Sequence, residues 1–103
     1  MNTMFIWVDD LRRPPSTYDS QHTVWAKTYR GAVALLETFC RNSNLQVVLD
    51  LDHDLGQPKT GYDVCKYVVE NHLPLVGFKV HSMNPVGREN MIQLMTHYGY
   101  ECF

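Results

Sequence analysis

Apolar residues fall into short unbroken runs, separated by stretches in which they recur every three or four positions. Met4-Phe5-Ile6-Trp7-Val8 is continuous, partly β-branched and closed by two aspartates, the form of a strand covered on both faces. Leu11 to Gln21 holds Arg12, Arg13, Pro14, Pro15 and Ser16 without a helical period, so it predicts an ordered loop where a regular α/β unit would place a helix. Thr23 to Lys27 predicts a short second strand. Thr28 then precedes Ala32, Leu35, Leu36, Phe39 and Cys40, a cap followed by an apolar stripe, for a helix stopping near Asn42.

Gln46 to Leu51 is the clearest buried strand. Thr60, with Asp63 three residues on, opens a helix that turns Val64, Cys65, Val68 and Val69 inward, and Pro74 marks its end. Val76 to Val80 predicts a fourth strand, Asn84-Pro85 a cap and first-turn proline for a helix to about Tyr98, and Tyr100 to Phe103 a last strand. Strands alternating with helices imply an α/β fold in three layers, α/β/α, around a mostly parallel five-stranded sheet joined by right-handed crossovers.

Length and composition narrow this little. A chain of 103 residues accommodates one domain, and 45% hydrophobic with 19% charged residues describes a folded globular protein. The net charge of −2 and nine scattered basic residues exclude a nucleic-acid-binding stripe. Cys40, Cys65 and Cys102 are odd in number and far apart in apolar stretches, as expected of buried free thiols. The run from Met4 to Val8 is too short for a signal peptide or membrane span, so a cytoplasmic location with no membrane partner is expected.

The chemistry lies where the strands end. Asp9 and Asp10 follow the first strand, Asp50, Asp52, His53 and Asp54 end the third, and His81 and Ser82 end the fourth. Open parallel sheets bind ligands beyond these carboxyl ends, so five of the eleven acids converge on one edge. Crowded carboxylates repel unless a cation lies between them, and an all-oxygen set suits Mg²⁺, Mn²⁺ or Ca²⁺. His53 and His81, beside acids able to hold a tautomer, form a candidate general acid and base pair; His22, His72 and His97 receive no role. The helix start at Asn84 predicts an anion site next to the cation site, with Arg12 or Arg88 available to offset charge.

The acids after strands one and three resemble those of response-regulator receiver domains, which hold a divalent ion beside a phosphorylatable aspartate. The first and last receiver helices have no counterpart: Pro14-Pro15 stands in the place of one, and neither the lysine after strand five nor the helix beyond it is found by Phe103. The sequence is more similar to the cyclic-phosphate-processing receiver domain. Its motifs correspond to Asp9-Asp10-Leu11-Arg12-Arg13-Pro14-Pro15, to Leu51-Asp52-His53-Asp54-Leu55-Gly56 with Thr60-Gly61-Tyr62-Asp63, and to His81 through Met91. The resemblance implies a receiver-like fold and action on a cyclic nucleotide or an RNA 2′,3′-cyclic end. It places the metal (Mg²⁺ or Mn²⁺) on Asp9, Asp10 and Asp52, with catalytic roles for His53, Asp54, His81 and Ser82. It also selects Asp52 over Asp50 as the acid in the phosphoacceptor place. The other functions weighed are a signalling receiver phosphorylated on Asp52 and a non-catalytic cyclic-nucleotide binder.

Overall fold

The computed structural model describes residues 2–103. Four strands, β1 (Asn2–Val8), β2 (Thr23–Ala26), β3 (Leu45–Leu51) and β4 (Gly77–Val80), form a parallel sheet in the order β2-β1-β3-β4. The helices are α1 (Tyr29–Cys40), α2 (Gly61–Glu70) and α3 (Pro85–His97). Each starts on a local signal. The Thr28 side chain accepts from Gly31 N, Thr60 and Asp63 close a capping box, and the Asn84 side chain accepts from Gly87 N ahead of a first-turn proline.

All three helices pack on one face. Ile6, Val8, Ala26, Val47, Leu49, Leu51, Phe78 and Val80 share one core with Leu36, Val64, Val68, Met91 and Met95. Because side chains alternate along a strand, the register puts Phe5, Trp7, Trp25, Val48, Asp50 and Lys79 on the other face. The loop after β1 covers that face and makes the third layer. The Tyr18 ring lies 5.3 Å from Phe5 and 5.8 Å from Trp7. Two indoles pin the strap: Trp7 Nε1 donates to the Arg12 carbonyl at 2.8 Å, and Trp25 Nε1 to that of Asp9 at 2.7 Å. Pro14 and Pro15 fit such a strap because they offer no N–H and so leave no donor to satisfy.

The expected fifth strand is reduced to one parallel bridge, Phe78 to Cys102. Phe78 N donates to the Glu101 carbonyl and Phe103 N to that of Phe78, at 2.9 and 2.8 Å. The Phe103 ring then lies over Gly77, where a Cβ would come within 2.6 Å of it. Cys102 is exposed and Cys40 half-buried, against the expectation that all three thiols are buried; burial pushes the Cys65 thiol up to about 12 and that of Cys40 up to about 11, which disfavours the reactive thiolate at both. No helix among the described residues is long and apolar enough to cross a membrane.

Candidate metal and phosphate site

The parallel register brings the carboxyl ends of β1, β3 and β4 side by side, and the chain turns off the sheet there at Asp9, Asp52 and His81. Asp9 is buried, 1% exposed, yet fully engaged. Its Oδ1 accepts from Leu11 N at 2.9 Å and Arg12 N at 2.8 Å, and its Oδ2 meets Arg12 Nε at 3.2 Å and His81 Nε2 at 3.0 Å. Burial alone would push the carboxyl up, but the amides of Arg12 and Leu11 together with His81 outweigh it and hold Asp9 below its ordinary value, ionised at neutral pH.

One oxygen each from Asp9, Asp10 and Asp52 lies within 4.8 Å of the others. An all-oxygen donor set of this size fits a hard divalent ion. Arg12 already supplies positive charge among them, with Nη2 3.5 Å from Asp52 Oδ2 and Nε against Asp9. Gly56, at φ +66°, leaves room for the third acid, since a Cβ there would sit 2.7 Å from Asp10 Oδ2. The cavity outside this cluster holds about 550 Å³ and is lined by the three acids with Leu11, Arg12, Asp54, Gly56 and Met83.

The model of the cyclic-phosphate processing receiver domain family matches residues 4–97. The chain belongs to that family. No curated protein and no solved structure matches it.

Not every strand-end residue of this receiver domain faces the acidic cavity. Asp50, still inside β3, is on the loop-covered face, and His81 links it to Asp9: His81 Nδ1 lies 2.7 Å from Asp50 Oδ1 while Nε2 meets Asp9. The bridging imidazole thus lies between two buried carboxylates, with both of its ring nitrogens engaged. Trp7 stacks on it, with centroids 3.8 Å apart and planes 2° from parallel. Tyr18 donates its hydroxyl to Asp50; burial, then that carboxylate, push the phenol up, so it keeps its proton. His81 therefore holds Asp9 in place and has no nitrogen left for a substrate.

His53 is placed at the edge of the site: it is not among the residues lining the acidic cavity, although its neighbour Asp54 is. Its Nδ1 lies 2.9 Å from Asp54 Oδ1 and 3.5 Å from Asn84 Nδ2, and its Nε2 has no partner among the described residues. The ring sits against Gly87 at the start of α3, where a Cβ would be 2.4 Å from His53 Cγ. This start of α3 is largely closed on itself. Asn84 N donates to Ser82 Oγ at 3.0 Å, Gly87 N to Asn84 Oδ1 at 3.0 Å and Arg88 N to Asn84 O at 2.8 Å, while Pro85 has no N–H. The open amide row expected at Asn84 is thus reduced by its own caps. The Arg88 guanidinium turns back to the Val80 carbonyl, away from the acids, so Arg12 alone brings a guanidinium to the cluster.

Sequence reasoning gave no role to Trp7, Tyr18, Leu11 or Met83. Trp7 and Tyr18 read as core and loop, and their approach to His81 and Asp50 depends on how the strap folds back. Leu11 and Met83 did carry a signal: each is an apolar residue set directly among the polar motif residues.

Proposed function

We propose that this receiver domain is a metal-dependent phosphodiesterase that opens a cyclic phosphate, with a cyclic nucleotide or an RNA 2′,3′-cyclic end as ligand. The observation that carries this reading is the meeting of Asp9, Asp10, Asp52 and the Arg12 guanidinium around one cavity. Carboxylates suit the cation, and a guanidinium suits phosphate oxygens. A bound Mg²⁺ or Mn²⁺ would supply Lewis-acid neutralisation of phosphoryl charge. Ring opening joins a water oxygen to phosphorus and breaks one ester P–O bond, and the departing oxygen ends with a proton. His53 is the group to move that proton, because Asp54 holds Nδ1 and leaves Nε2 free to accept and return it. Arg12 offsets charge on the phosphoryl oxygens. His81 is a positioning residue that keeps Asp9 oriented and ionised.

The test is incubation of the purified protein with Mg²⁺ or Mn²⁺ and a panel of 2′,3′- and 3′,5′-cyclic nucleotides and cyclic-ended RNA. A linear phosphomonoester is expected, and its formation should stop on chelation. If every substrate is recovered intact, the enzymatic reading fails, and tight retention of an intact ligand would make the protein a binder.

Gly87→Ala probes the proton-moving group without altering it. Gly87 is buried against the ring, so the new methyl displaces His53, and in a variant shown to be folded by its melting curve kcat should fall roughly 10²-fold, as for a misplacement of about 1 Å. An unchanged kcat in a folded variant would remove His53 from the mechanism.

A further inference from the structure

We infer that Leu11 and Met83 form an apolar clamp for the nucleobase of the substrate, which makes the enzyme dependent on a base but tolerant of its identity. The inference rests on the cyclic-phosphate reading and specifies which part of the ligand lies outside the metal cluster. Both side chains line the same cavity as the three acids and Arg12, and both are 83% exposed. They come from different loops: Leu11 follows the Asp9-Asp10 pair after β1, and Met83 lies between β4 and α3.

Their backbones are held although their side chains are largely exposed. Leu11 N is held by Asp9 Oδ1 at 2.9 Å, and the turn carrying Met83 is closed by Asn84 N on Ser82 Oγ at 3.0 Å. Single exposed apolar residues are ordinary, but fixed ones on two loops lining one polar cavity form a binding rim. The volume agrees. About 550 Å³ falls within the range of small-molecule sites, which are apolar with a few convergent polar groups, and a phosphate alone would leave most of it empty.

A nucleobase suits that rim because its flat faces are apolar and Met sulfur makes favourable contacts with aromatic rings. Leu and Met side chains offer no hydrogen-bond code, so the four bases should be accepted alike. A site built from donors and acceptors would instead discriminate strongly among them.

The experiment compares KM for the four nucleoside 2′,3′-cyclic phosphates with KM for ribose 2,3-cyclic phosphate, which lacks a base, in wild-type protein and in Leu11→Ser and Met83→Ser. Equilibrium binding of adenosine 2′-monophosphate and ribose 2-phosphate in the presence of Mn²⁺ gives a second readout. Wild type should favour the nucleotides by roughly 10²-fold, with the four bases within a few-fold of one another. Each substitution should shrink that preference about tenfold, in KM and in Kd alike. Equal KM for ribose 2,3-cyclic phosphate and the nucleotides, or a preference that survives both substitutions, overturns the clamp. If no cyclic phosphate is opened, the phosphodiesterase reading fails, and the binding measurements still decide the clamp: a nucleotide preference lost in both variants supports it, and no preference overturns it.

Discussion

Asp10→Ala is expected to lower turnover on the order of 10³-fold while leaving the folded state intact. One carboxylate is removed from the three-acid cluster of the proposed metal centre, where an ion would be worth several kcal/mol to a phosphoryl transition state. Asp10 is partly exposed and lies in that cluster, so stability without metal should be unchanged within about 0.5 kcal/mol, or slightly higher as like-charge repulsion is relieved. Its neighbour behaves differently. Asp9→Ala strips an acceptor from the Leu11 and Arg12 amides, the Arg12 guanidinium and His81, and leaves four part-buried donors unmatched, a destabilisation on the order of 3 kcal/mol. Calorimetric titration with Mn²⁺ alongside melting curves separates the two effects. Wild-type Mn²⁺ affinity in Asp10→Ala would refute the proposed metal centre.

A stability effect of similar size is expected at Gly61. A Cβ there would lie 2.0 Å from the Asp52 carbonyl oxygen and 3.2 Å from His53 Cα, both backbone atoms that cannot swing aside. The close approach has a purpose: Gly61 N donates to the His53 carbonyl at 2.7 Å, which ties the start of α2 to the segment carrying Asp52 and His53. Gly61→Ala should therefore destabilise the protein by about 3 kcal/mol, roughly 15 °C in Tm, and weaken Mn²⁺ binding because Asp52 moves with its backbone. A variant melting within about 3 °C of wild type would mean that α2 shifts freely, against this packing.

These two positions also divide what was legible in the sequence. Asp10 and Asp52 announce themselves, because acids closing an apolar run mark a strand end and parallel strand ends meet. Thr28, Thr60 with Asp63, and Asn84-Pro85 likewise define their helix starts through contacts within three residues. Such features depend on neighbours in the chain, and periodicity reports them. The family resemblance added the roles and led to Asp52 rather than Asp50 in the acidic cluster, where the geometry also puts it.

Contacts between distant residues decided the rest. Asp50 and Asp52 are chemically identical and two positions apart, yet one bonds His81 and Tyr18 on the loop-covered face while the other joins the cluster. The two histidines differ for the same reason: His81 is saturated by acids from β1 and β3, whereas His53 keeps a nitrogen free at the start of α3. The fifth strand read well as a pattern but pairs only through Phe78 and Cys102, because β-pairing is decided by what the partner edge offers. The sequence by itself determined which residue types arrive at the sheet's edge. Tertiary structure decided which of them share a cavity, since a hydrogen bond across some thirty to seventy residues leaves no local pattern in the chain.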